Sequence, residues 1–248
     1  MNAFFLKIVA IVTMIIDHSG YLIKGGVSYF NYIGRLAFPI FAFQISQGYI
    51  HTKNLKKYIT RLALFAVISQ IPFTLFLFMV TGREFTWHFT TFFSHLNIFF
   101  TLLLGLLAIL AYEKLKVVGL LIAIGLGWFA SFINADYGFF GVAIITLFYI
   151  FRDKKVLMAI SFILTVIAHY GIRTYNQFRE VFPDNTLEQL NLHFQAGNLN
   201  RTLILCLCTI LPIIFILAYN GKKGRDLKQV LYWFYPVHLL ILYILWLI

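Results

Sequence analysis

Asp17 and His18 stand side by side inside the apolar run FFLKIVAIVTMIIDHSGYLIK. A carboxylate at the centre of a membrane helix costs about 2.5–3.5 kcal/mol on insertion scales, and more without a partner. Such groups pair, line a polar cavity or move protons. An imidazole titrates near neutrality, so His18 suits general base chemistry in a low-dielectric site. Arg35, Asn97 and Asp136 fall at a matching depth in other apolar runs. Arg35 or Asn97 can stabilise a developing oxyanion, and Asp17 or Asp136 can hold an imidazole tautomer. The same residues can equally staple helices together. Asp17 with Arg35 is the most economical ion pair, Asp136 is an alternative orienter of His18, and Asn97 is either a cross-helix hydrogen bond or an oxyanion donor. Adjacent helix residues diverge by about 100°, so Asp17 and His18 face different neighbours.

A second polar set lies toward the other end of the spans. The stretch FQISQGYIHTKNLKKYITRL carries Gln44, Gln47, His51, Lys57, Tyr58 and Arg61, and LYWFYPVHLL carries Tyr232, Tyr235, Pro236 and His238. Taken singly, these fit positive-inside charge and an aromatic belt. Taken together, Gln47, Lys57, Tyr58, Arg61, Tyr235 and His238 suit an anionic nucleotide, because cations neutralise phosphate and rings stack on purines. Pro236 breaks the helical ladder beside His238, as befits a helix that lines a cavity. No metal site is expected. The seven histidines are scattered, with no i,i+4 pair, and His88 and His95 read as interface residues. Cys206 and Cys208 point to different helix faces and read as apolar filler.

The elements that position these residues follow from composition. The chain is 61% hydrophobic and only 12% charged, with a mean hydropathy of +0.85. This is the signature of an all-α polytopic membrane protein. Nine spans are predicted, at about 3–23, 30–51, 58–80, 93–112, 115–133, 137–151, 155–171, 202–219 and 230–248. They form a single transmembrane domain, residues 1–248, around a central polar tunnel. The N-terminus does not read as a cleaved signal peptide, because Asp17 interrupts its apolar core and no basic n-region precedes it. A connection at 172–201 forms an extracytoplasmic loop, with a Pro183-Asp184-Asn185 turn and a helix start at Thr186.

Lys and Arg set the orientation. Fourteen fall on the side of the N-terminus, five (Lys24, Arg83, Arg173, Arg179 and Arg201) on the other, and Arg35 lies within a span. The N-terminus is therefore expected in the cytoplasm and the C-terminus outside, in a cell membrane. The net charge of +11 follows this distribution and calls for anionic lipid rather than nucleic acid.

The blocks IDHSG (16–20), GRLAFPIFAFQISQGYIHT (34–52), KYITRLALFAVISQIPF (57–73), NIFFTLLLGL (97–106), ADYGFFGV (135–142) and FYPVHL (234–239) resemble the TraX family, whose namesake acetylates the N-terminus of conjugative pilin. TraX proteins are similar in layout to membrane acyltransferases such as heparan-alpha-glucosaminide N-acetyltransferase. The resemblance implies acetyl-CoA as co-substrate, bound from the cytoplasm. It also implies an extracytoplasmic acceptor (protein, peptide or glycan) and a reaction centre at the helix-one histidine, here His18. The expected partners are thus acetyl-CoA, that acceptor and the bilayer, with a homodimer left open and no nucleic acid. The expected enzyme is an acetyltransferase acting on an amine or hydroxyl, with His18 as general base. The competing reading is a proton-coupled transporter built on His18, Asp17 and Arg35.

Overall fold

A computed structural model describes residues 1–24, 29–82, 92–181 and 198–248. His88, Arg83, the Pro183-Asp184-Asn185 turn and the Thr186 helix start lie outside these residues. The described chain is helical: α1 Ala3–Lys24, α2 Phe30–Gly34, α3 Ala37–His51, α4 Leu55–Thr81, α5 Ile98–Leu115, α6 Val117–Phe132, α7 Gly138–Ile150, α8 Lys155–Val181, α9 Asn198–Ile210, α10 Pro212–Leu217 and α11 Lys228–Leu247. Only helices satisfy their own backbone in lipid, and large apolar side chains such as Trp128, Phe132 and Leu164 stay exposed on their outer faces.

Each of the nine predicted apolar stretches contains helix, but six helical spans among the described residues are long and apolar enough to cross a membrane. The count of nine is therefore not established. Helix α6 has 16 residues and α7 has 13, about 24 and 20 Å at 1.5 Å per residue, against a hydrocarbon core of about 30 Å. The predicted span 30–51 is broken into α2 and α3. Pro39 has no N–H to give the Arg35 carbonyl, so the ladder lapses there and Leu36 bonds back to Ile33 over a tighter turn. Residues 172–181, expected in a loop, continue α8; 182–197 lie outside the described residues.

Two groups of contacts position the site. At one end of the bundle the N-terminal ammonium donates to the Ala218 carbonyl at 2.7 Å, and Ala3 N–H donates to the Lys222 carbonyl at 2.9 Å. The start of α1 is thereby fixed to the connection before α11. At the other end, Leu96 and Ala135 form an isolated parallel bridge, which ties the approach to α5 to the turn before α7. Between these ends α1 packs on α2, α3 and α11, and α11 packs along α4.

The approach to α5 is held by Gln70 of α4, which sequence reasoning passed over. Its Nε2 donates to the carbonyls of Phe92 at 2.6 Å and His95 at 2.9 Å. Its Oε1 accepts from Asn97 N–H at 3.1 Å and Asn97 Nδ2 at 2.8 Å. Gln70 is 4% exposed, so no water replaces these bonds. Each orphaned group costs about 1–3 kcal/mol. Gln70→Leu is expected to lower the thermal midpoint of the purified protein by roughly 5 °C or more, and an unchanged melting curve would refute the hub.

A histidine pair between two cavities

His18 lies four residues beyond Met14 on α1, and His238 lies three beyond Tyr235 on α11. The packing of α1 on α11 brings the two rings together. His18 Nδ1 and His238 Nε2 are 2.7 Å apart, with the ring planes within 6° of parallel. His238 Nδ1 is 2.7 Å from the Phe234 carbonyl. A carbonyl only accepts, so His238 Nδ1 carries a proton. In neutral His238 the Nε2 is then the acceptor, and His18 Nδ1–H donates to it. That leaves the lone pair of neutral His18 on Nε2, which has no hydrogen-bond partner among the described residues. His238, expected with the nucleotide-binding set, does not line the cavity that Gln47, Tyr58, Arg61 and Tyr235 share; its imidazole meets His18. Phe76 and Phe234 wall the pair, with ring centroids 4.9 Å from His18 and 4.5 Å from His238.

Asp17 turns away from this pair. Its carboxylate accepts from Asn31 Nδ2 at 2.7 Å, and the Asn31 carbonyl accepts from Arg35 Nε at 3.3 Å. Asn31 thus stands between the two charges. The expected Asp17–Arg35 ion pair does not form, because α2 presents a buried amide to α1 at that level. Gly34 makes this close approach possible: a Cβ there would lie 2.2 Å from Asp17 Cγ. Asn31 opens the span that carries Arg35, and its burial in an apolar segment was the available signal.

Asn97 is a cross-helix hydrogen bond. Its Oδ1 caps α5 by accepting from Phe99 N–H at 3.0 Å. Its Nδ2 donates to the Ala66 carbonyl at 2.7 Å as well as to Gln70. Both amide hydrogens are used, so none is free for an oxyanion. Asp136 is held by its backbone: its N–H donates to the Leu96 carbonyl at 2.8 Å, and its carbonyl accepts from the Thr101 hydroxyl. Tyr137 takes the left-handed conformation, φ 65°, and stacks on Phe38 at 3.6 Å. Asp136 therefore orients no histidine by direct contact among the described residues.

Two cavities, which share no lining residue, occur where one tunnel was expected. The first, about 440 Å³, opens at the end that holds the N-terminus. Gln44, Gln47, Tyr58, Arg61, Tyr232 and Tyr235 line it, and Lys7 and Lys223 flank it. Met14 and Tyr235 reach its inner part, so the histidine pair begins about one helical turn, some 5 Å, further in. Lys57 is exposed on α4 and does not line the cavity. Gly48 makes room for the Tyr58 hydroxyl, which a Cβ would meet at 2.6 Å. Gln44 Nε2 and Arg61 Nε are buried without a hydrogen-bond partner. A buried amide and a guanidinium with spare donors, on a cavity walled by aromatic rings, call for a ligand with acceptor oxygens.

The second cavity, about 400 Å³, is at the opposite end and is lined by Arg35, His95, Asp136, Tyr137, His169 and Arg173 among others. Arg35 reaches this cavity while its Nε stays on the Asn31 carbonyl, and Asn31 in turn holds Asp17, the neighbour of His18 in the chain. Among the described residues no group of three or more His, Cys, Asp or Glu side chains is disposed to hold a metal ion. Cys206 and Cys208 are both free thiols.

The family model described as TraX protein matches residues 3–246. A relative from Dichelobacter nodosus, described as probable fimbrial assembly protein FimC, serogroup H1, is 29% identical over 248 residues, covering 97% of this chain and 94% of that protein. No solved structure matches, and the expected likeness to the membrane acyltransferase fold is not established.

Proposed function

Because the chain belongs to the TraX family, we propose that it is a membrane-embedded acetyltransferase, moving an acetyl group from cytoplasmic acetyl-CoA to an amine or hydroxyl presented from outside. The observation that carries this is the ordered chain Phe234 carbonyl, His238, His18. It ends in a free Nε2 just beyond a cavity on which Arg61 Nε and Gln44 Nε2 are buried without a hydrogen-bond partner among the described residues. Those donors fit the phosphates and amides of acetyl-CoA. The positive-inside bias supports a cytoplasmic mouth for that cavity and an outer mouth for the second. The name of the Dichelobacter nodosus relative supports an acceptor connected with fimbriae.

Acetyl-CoA, when bound, supplies an activated thioester carbonyl. His18 Nε2 takes the proton that the acceptor nitrogen or oxygen loses as it bonds to that carbon. The carbon–sulfur bond breaks, and the same proton is available for the departing thiolate. His238 accepts the Nδ1 hydrogen bond of His18 and so stabilises its protonated form, as a neutral acceptor should. Arg35 extends positive charge toward the reacting centre, where negative charge grows on the carbonyl oxygen. Asp17 acts at one remove, fixing α1 to α2 through Asn31.

Purified protein should bind radiolabelled acetyl-CoA saturably between about 1 μM and 1 mM and pass label to a primary amine or to water. Absence of binding at about 1 mM would overturn the proposal. A proton-coupled transporter is the second reading, since cavities at opposite ends also suit alternating access. It would accumulate solute in proteoliposomes and transfer no label.

A further inference from the structure

The second cavity holds opposite charges that do not meet. Asp136 and Arg35 both line it, yet neither forms an ion pair with the other or with any described residue. The Asp136 carboxylate accepts no side-chain hydrogen bond among the described residues, only the backbone N–H of Tyr137, while the residue's own N–H is bound to Leu96 and its carbonyl to Thr101. Arg35 spends only Nε, on the Asn31 carbonyl. Arg173, on α8, makes no hydrogen bond or ion pair with a described residue. Unpaired charge inside a membrane bundle is costly, and a direct Asp–Arg contact would relieve it. The Leu96–Ala135 bridge on one side and the Asn31 anchor on the other hold the two groups apart.

We propose that this cavity is a binding site for a zwitterion: a molecule, or the exposed end of one, that carries an acidic group beside its amine. The guanidiniums of Arg35 and Arg173 take the acidic group, and Asp136 takes the ammonium. Such a ligand neutralises both charges at once, whereas a simple amine leaves the two cations unmatched and a simple acid leaves Asp136 unmatched. His95 and His169 add polar groups to the lining. About 400 Å³ suits a group of dipeptide size, within the usual range for small-ligand pockets of roughly 300–1,000 Å³. Naming this ligand the acetyl acceptor rests on the acyl-transfer reading; the binding itself does not.

The test is calorimetric titration of the purified full chain without acetyl-CoA. The probes are alanyl-glutamate, N-acetyl-alanyl-glutamate and alaninamide, which carry both charges, the acid alone and the amine alone. Alanyl-glutamate is expected to bind at least about 10-fold tighter than either single-charge probe. Asp136→Asn should remove that advantage and leave N-acetyl-alanyl-glutamate unchanged. Arg173→Gln, on an exposed residue that should fold normally, should do the reverse and leave alaninamide unchanged. Equal binding of all three probes, or none at about 10 mM, overturns the proposal. A failure to bind acetyl-CoA would overturn the acyl-transfer reading and leave this result standing.

Discussion

His18→Ala is expected to lower acetyl transfer by about 10²- to 10⁴-fold, the range for loss of a positioned general base, with acetyl-CoA binding nearly unchanged. An acceptor ammonium must shed its proton before it can attack, and His18 Nε2 is the basic nitrogen left free by the hydrogen-bond chain to His238 and the Phe234 carbonyl. His238 acts through His18 and is a positioning residue. His238→Leu removes the acceptor for Nδ1–H and should cost about 10-fold in turnover, the worth of one neutral hydrogen bond of about 1–1.5 kcal/mol. His238→Gln keeps an acceptor oxygen and should recover part of that loss. A purely structural role would make the two variants equal. Transfer that survives in His18→Ala would refute the assignment of the base.

Arg61→Gln should weaken acetyl-CoA binding by about 10- to 100-fold, since a charge-assisted hydrogen bond to phosphate is worth about 1.5–3 kcal/mol. Turnover at saturation should change little. Arg61 lies within the first cavity with a buried, unpartnered Nε, and its guanidinium is 6.0 Å from the Tyr232 ring centroid, so it is held in place before any ligand arrives. Lys57→Gln is the matched control. Its side chain is exposed and outside the cavity, so the loss should stay under about twofold, as for surface charges. Acetyl-pantetheine, which lacks the nucleotide phosphates, should be indifferent to Arg61→Gln. Equal losses for Arg61→Gln and Lys57→Gln would mean that the general positive field, and not the cavity, holds the donor.

Much of the site was legible in the sequence because lipid makes polar residues conspicuous. Asp17, His18, Arg35, Asn97 and Asp136 stand out against apolar neighbours whatever the fold, and Gln44, Tyr58 and Arg61 fall together because they flank the connection between two neighbouring spans. Partnership was not legible. Asp17 and Arg35 have opposite charge and similar depth, which is all that a sequence offers; the buried amide of Asn31 between them depends on how α2 lies against α1. Asn97 reads equally well as an oxyanion donor or as a cross-helix hydrogen bond, and only the location of Ala66 and Gln70 decides it. Lys57 and Arg61 are four residues apart on α4, yet one is exposed and the other lines the cavity.

The sequence by itself determined the class of the molecule and the composition of its polar layer. Apolar runs of sufficient length must be helices in lipid, where no water satisfies a lapsed backbone bond; that the run 30–51 breaks before Pro39, while α4 and α11 continue through Pro72 and Pro236, was decided by the fold. The tertiary structure decided which histidine pairs with His18. Residues 18 and 238 are separated by 220 positions, and their contact depends on the rotation and register of α1 against α11, quantities set by packing across the whole bundle. It also decided that Asp136 and Arg35 face one cavity without touching. The backbone bonds that hold them apart come from helices distant in sequence, and no local pattern encodes a separation.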